Sequence, residues 1–210
     1  MELFIYAFAA LFSVMNPLGT VPIFVGLTRE YSAKEQSKTS LLTAINVFVI
    51  LLISFFIGRY ILHFFGISIE SLRIAGGLII VTSGFALLTG SFSKHKGMEK
   101  ERVKNDAFQR NNVSLTPLAI PMLAGPGSIS LLIGMYEDYT VISQKLITVL
   151  AILGVCLATF LVLRSSHYIV KMLGASGINA ISRIIGFIVI AIGIEYISSS
   201  VILVLSDAFK

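Results

Sequence analysis

The chain has 210 residues, 56% of them hydrophobic and only 13% charged, with a formal net charge of +5. A soluble domain carries about 25% charged residues, so this composition excludes an ordinary soluble fold and points to an integral membrane protein. A single cysteine excludes an internal disulfide and a CxxC redox pair. In its apolar run, Cys156 reads as a small buried hydrophobe.

Six apolar segments approach the ~20 residues that cross a hydrocarbon core, at approximately 3–27, 41–64, 72–89, 115–135, 146–163 and 184–205. Met1-Glu2-Leu3-Phe4 lacks the basic region of a signal peptide, so the first segment is expected to remain as a span. The expected fold is one all-α membrane domain over 1–210 with about six transmembrane helices. It divides into repeat 1 at approximately 1–92, a lysine-rich loop at approximately 93–113 and repeat 2 at approximately 114–210.

With the N-terminus outside, twelve of the sixteen Lys and Arg residues face inward, among them Arg29, Lys34, Lys38, Arg164, Lys171, Arg183 and all those between 94 and 110. Only Arg59, Arg73, Lys145 and Lys210 then lie outside. The positive-inside rule therefore predicts both termini outside and the 93–113 loop in the cytoplasm. That loop serves as a topology signal beside anionic headgroups, which argues against nucleic acid as a partner and for membrane lipids.

In the first segment, Asn16-Pro17-Leu18-Gly19-Thr20 interrupts an apolar run, and in the fourth Gly125-Pro126-Gly127-Ser128 does the same. Proline removes a backbone donor and clashes with the preceding turn, so both helices should break there. Asn16 suits an N-cap and Pro17 a first helical position, so one half-helix ends as another begins. A shift of about 110 residues superposes Asn16-Pro17 on Gly125-Pro126 and Arg73-Ile74-Ala75-Gly76 on Arg183-Ile184-Ile185-Gly186. Three spans per repeat force the halves into opposite orientations, an architecture that recurs in secondary transporters with the site between the repeats. Two half-helix N-termini, at Leu18, Gly19 and Thr20 and at Gly127 and Ser128, can then converge on one anionic group such as a carboxylate. The other reading is two kinks repaired by neighbouring helices.

Ser13, Thr20, Thr43, Asn46, Thr82, Ser83, Ser128 and Ser130 are candidates to complete a cavity, although interhelical hydrogen bonding is the commoner use of such groups. Asn46 is the most informative of them, because a mid-span amide needs a partner. Glu195 is the only carboxylate deep in a predicted span, where it would receive an ammonium group, carry a coupling proton or simply be hydrogen-bonded. Gly76, Gly77, Ser83, Gly84, Gly186 and Gly193 read as positions of close helix approach. Arg73 with Glu70, and Glu137 with Asp138, read as solvated interfacial groups. No HExxH, nucleophile elbow or paired intramembrane acid suggests an enzyme, and His63, His95 and His167 are too scattered for a metal site.

Residues 16–24 (Asn-Pro-Leu-Gly-Thr-Val-Pro-Ile-Phe), 72–77 (Leu-Arg-Ile-Ala-Gly-Gly) and 117–127 (Pro-Leu-Ala-Ile-Pro-Met-Leu-Ala-Gly-Pro-Gly) together resemble the signatures of the MarC, or UPF0056, family. The resemblance runs over essentially the whole chain. It implies a multi-pass protein of the prokaryotic inner membrane that transports small neutral amino acids such as glycine and alanine, with H+ or Na+ coupling and no cofactor. Homo-oligomerisation is compatible with it. The chain departs from the family pattern in the sixth segment, where Glu195 and Ser200 replace an amide and a glycine.

Overall fold

The computed structural model describes residues 1–92 and 113–209, so the predicted loop lies outside the described residues except for Val113. The described residues form α1 (Glu2–Met15), α2 (Pro17–Leu27), α3 (Ala33–Phe65), α4 (Ile69–Leu88), a wide-turned segment Ser114–Leu123, α5 (Pro126–Asp138), α6 (Ile142–Arg164) and α7 (Ser166–Ala208). Four stretches are long and apolar enough to cross a membrane singly: α3, α4, α6 and Ser176–Ser206 of α7. The pairs α1–α2 and Ser114–Leu123 with α5 bend by 41° and 65°, and with each pair taken as one span the total is six.

Local chemistry accounts for the boundaries. Ser32 and Glu35 form a reciprocal capping box that starts α3, and Gly66 ends it in the left-handed region at φ 65°. Ser68 caps α4 by accepting from the Ser71 N–H. Gly174, at φ 63° and ψ 175°, kinks α7 before its apolar stretch begins.

The first half of the fourth span departs from the predicted regular helix. Thr116 and Ile120 adopt extended dihedrals (φ −126°, ψ 120° and φ −119°, ψ 125°). Each precedes a proline, whose ring disfavours the helical region for the residue before it. The carbonyls of Val113 and Ala119 accept from Leu118 and Ala124, five residues on, giving wide turns. Ala119, Met122, Leu123 and Ala124 are buried, as irregular backbone at membrane depth requires.

The two broken spans occupy the interior. Leu11, Met15, Phe24, Leu118, Met122, Leu131 and Leu132 are fully or almost fully enclosed. The long helices surround them and turn rows of large apolar side chains outward, such as Leu41, Ile45, Val49 and Ile53 on α3.

α4 and α7 pack antiparallel at the glycines anticipated for close approach. A Cβ on Gly77 would lie 2.8 Å from the Gly193 carbonyl oxygen, and one on Gly84 2.8 Å from that of Gly186. Without a hydrophobic force between helices in lipid, such contact is a main source of association.

Candidate functional site

Asn16 sits in the left-handed region at φ 47° and ψ 65°. Its N–H donates to the Phe12 carbonyl at 2.9 Å and closes α1, while its side-chain oxygen accepts from the Gly19 N–H at 3.2 Å and opens α2. One residue thus ends one half-helix and caps the next. Gly19 is indispensable to this cap, because a Cβ there would stand 2.2 Å from Asn16 Nδ2. The Thr20 hydroxyl donates back to the Asn16 carbonyl at 3.3 Å.

At the second break Gly125 takes the N-cap position in extended conformation, with Pro126 first in α5. The Ser128 hydroxyl donates to the carbonyls of Gly125 (2.9 Å) and Leu123 (3.3 Å), tying the two sides of the break together. The first N–H groups of each half-helix, on Leu18, Gly19, Gly127 and Ser128, have no acceptor within their own helix; among the described residues a side chain supplies one for Gly19 alone.

The two breaks are neighbours in space. A Cβ on Gly127 would lie 3.4 Å from Val14, in the last turn of α1, and 3.0 Å from Ile80 on α4. Asn16, Thr20 and Ser128 are buried, and Asn16 Nδ2 has no hydrogen-bond partner among the described residues. A buried amide donor without an acceptor is costly, so this atom marks a place where an acceptor belongs.

Three other candidates lie elsewhere. Asn46, half-buried on α3, donates to the Ser114 hydroxyl at 3.3 Å and fastens α3 to the start of the fourth span. Glu195 does not turn into the bundle; it is exposed on α7, and Ser198 bonds its backbone carbonyl. Thr82 is likewise exposed and bonds back to Ile79. Cys156 is buried, as expected.

Sequence reasoning missed a second polar cluster. Arg73, expected to be solvated, is 9% exposed and reaches from α4 to α5. Its guanidinium donates to the Gly134 carbonyl at 3.2 Å and pairs with Asp138. The Tyr196 ring of α7 lies under the same guanidinium, 5.9 Å from its carbon, and its hydroxyl donates to the Ser130 carbonyl at 3.2 Å. Ser130 in turn donates to the Leu72 carbonyl at 3.1 Å. Glu137, near the end of α5 and also expected to be solvated, pairs with Arg59 of α3 at 3.4 Å. Two signals were available: an arginine within a span requires a partner, and Ser130 with Gly134 is a small-xxx-small face.

At the opposite end of α4 a cavity of ≈ 120 Å³ adjoins α2 at Gly19, Pro22 and Ile23 and is bounded by Leu87, Asn179 and Ser182. No group of three or more potential metal-ligating side chains occurs among the described residues.

Residues 1–205 match the family described as MarC family integral membrane protein. The chain belongs to the MarC family. It is 39% identical over 197 residues to a UPF0056 membrane protein of Buchnera aphidicola subsp. Schizaphis graminum, covering 94% of this chain and 90% of the relative. It is 37% identical to the UPF0056 membrane protein YhcE of Escherichia coli K12, covering 92% and 89%, and 32% identical to the UPF0056 inner membrane protein MarC of Salmonella typhimurium, covering 91% and 90%. No solved structure matches. Membership of the MarC family makes the chain an integral membrane protein, with four to six candidate spans among the described residues.

Proposed function

We propose that the chain is a secondary transporter of small neutral amino acids that works by alternating access, with the substrate carboxylate held at the two half-helix N-termini. The observation that carries this reading is the buried Asn16 Nδ2, without a partner among the described residues, beside two breaks whose first N–H groups favour an anion. The amino-acid class comes from the family resemblance, and glycine and alanine suit a site made of glycines and small hydroxyls. A coupling H+ or Na+ is part of the same reading.

Inverted repeats are supported by a reciprocity in the packing. One shift of 109 residues carries Asn16-Pro17 onto Gly125-Pro126, Gly77 onto Gly186 in place of the Gly76 that a shift of 110 puts there, and Gly84 onto Gly193. Gly77 meets Gly193 while Gly84 meets Gly186, so the two contacts exchange under that shift. Such exchange is the mark of a two-fold axis, and between antiparallel spans the axis lies in the membrane plane, as in transporters with inverted repeats.

The same shift equates Leu87 with Tyr196. Around Tyr196 the space between α4, α5 and α7 is filled by the ring and by Arg73. Around Leu87 the corresponding space between α2, α4 and α7 is a cavity. In this account the Arg73–Asp138–Tyr196 cluster closes one face while the other admits ligand, and with both termini outside the admitting face is cytoplasmic.

Uptake into proteoliposomes tests the reading. Saturable glycine or alanine flux is expected, and Gly127→Leu should abolish it because its side chain would displace Val14 and Ile80. Undiminished flux in that variant would remove the proposed site. Flux of other solutes only would favour a different small-molecule exporter, and no binding at all a non-transporting scaffold.

A further inference from the structure

We infer that the groove between α3 and α6 is a binding site for an anionic phospholipid, its acyl chain in the groove and its headgroup on Arg164, Lys38 and Lys34. The groove measures ≈ 160 Å³ and is lined by apolar side chains throughout. Its floor is made of two small buried residues, Ala44 and Cys156, and its walls of larger ones that stand half exposed, such as Leu41, Ile45 and Leu157. Small residues below and large ones beside make an open apolar channel. From Leu41 to Phe48 it runs about 10 Å along α3.

Charge complementarity supplies the second half of the site. Phe160 ends the groove on α6, and the Arg164 guanidinium lies over its ring, 5.7 Å from the centroid. Across the groove, Leu41, Ile45 and Phe48 continue backwards at three- and four-residue spacing to Lys38 and Lys34, on the same face of α3. Lys145, at the start of α6, lies over the Tyr136 ring, which packs on Phe55 in the later part of α3, so the two helices run antiparallel and Arg164, at the far end of α6, stands at the same end as Lys38. All three cations are exposed and none has an acidic partner among the described residues. Glu35, between the lysines, is held by Ser32 in the capping box. A cationic mouth on an apolar groove at the end of two spans matches a phosphodiester on an acyl chain, and a zwitterionic lipid answers the groove alone.

The test is native mass spectrometry of the delipidated full chain titrated with phosphatidylglycerol and phosphatidylcholine of identical acyl chains. Phosphatidylglycerol should be retained at least tenfold better, and the preference should fall as salt rises. Each of Lys34→Gln, Lys38→Gln and Arg164→Gln should reduce it by about fivefold, while Lys171→Gln with Arg183→Gln should leave it intact. Ala44→Phe, which fills the floor, should weaken retention of both lipids and leave the charge preference. Equal retention by the parent chain, a preference that survives the triple variant, or a groove occupied instead by a second copy, seen as a dimer whose formation is lost in Ala44→Phe, would each overturn the assignment. Should the triple variant fail to fold, Arg164→Gln and the salt titration still decide.

Discussion

Asn16 combines three jobs that separate on substitution. Its left-handed backbone suits Asn better than most residues, its oxygen caps α2, and its Nδ2 has no acceptor within the described residues. Asn16→Asp keeps the cap and tolerates the backbone but removes the donor. The expected outcome is near-parental thermal stability with glycine binding weakened by about 10- to 100-fold, the worth of a bond to a charged group, measured with labelled glycine on purified protein. Asn16→Ala loses the cap as well and should cost about 1 kcal/mol of stability. Gly19→Ala forces a Cβ into Asn16 Nδ2 and should destabilise by about 1–3 kcal/mol, the cost of overpacking.

Among the elements, the α4–α7 pair is the most sharply defined, because its contacts are backbone against backbone. A side chain at Gly84 or Gly186 meets a carbonyl, which cannot rotate away as a side-chain tip would. Gly84→Ala and Gly186→Ala are each expected to lower the thermal midpoint in detergent. Because these two residues face each other, the double variant should lose less than the sum of the two, since separating the helices once relieves both clashes. The Arg73 cluster, by contrast, joins α5 to α4 and α7 through polar bonds that can be exchanged for water, which is the property expected of a contact that must release. Arg73→Gln in a Cys156→Ser background should make an introduced Ser128→Cys react faster with a membrane-impermeant thiol reagent applied from the side of the termini. Unchanged labelling would argue that the cluster is structural only.

For the whole molecule, the distribution of Lys and Arg predicts where each connection lies. Cysteines placed at either terminus should react with impermeant reagents in intact cells, and cysteines within 93–113 only after permeabilisation. The reverse pattern would invert the proposed cytoplasmic cavity to an outward one without altering the packing.

Sequence alone determined the membrane class, the approximate places of the apolar helices, both helix breaks and the glycine positions of close approach, although α3 and the apolar stretch of α7 each begin eight residues before the expected start. These follow from local chemistry: apolar length, the missing N–H of proline and the missing Cβ of glycine act wherever they stand. Tertiary structure decided what depends on partners distant in the chain. It buried Arg73 against Asp138 and Tyr196, from two other helices, sent Asn46 to Ser114, and left Glu195 on the outer face of α7. It also placed the second break against the end of α1. No spacing along the chain encodes which face of a uniformly apolar helix turns inward, because in lipid both faces are acceptable until the neighbouring helices are in place.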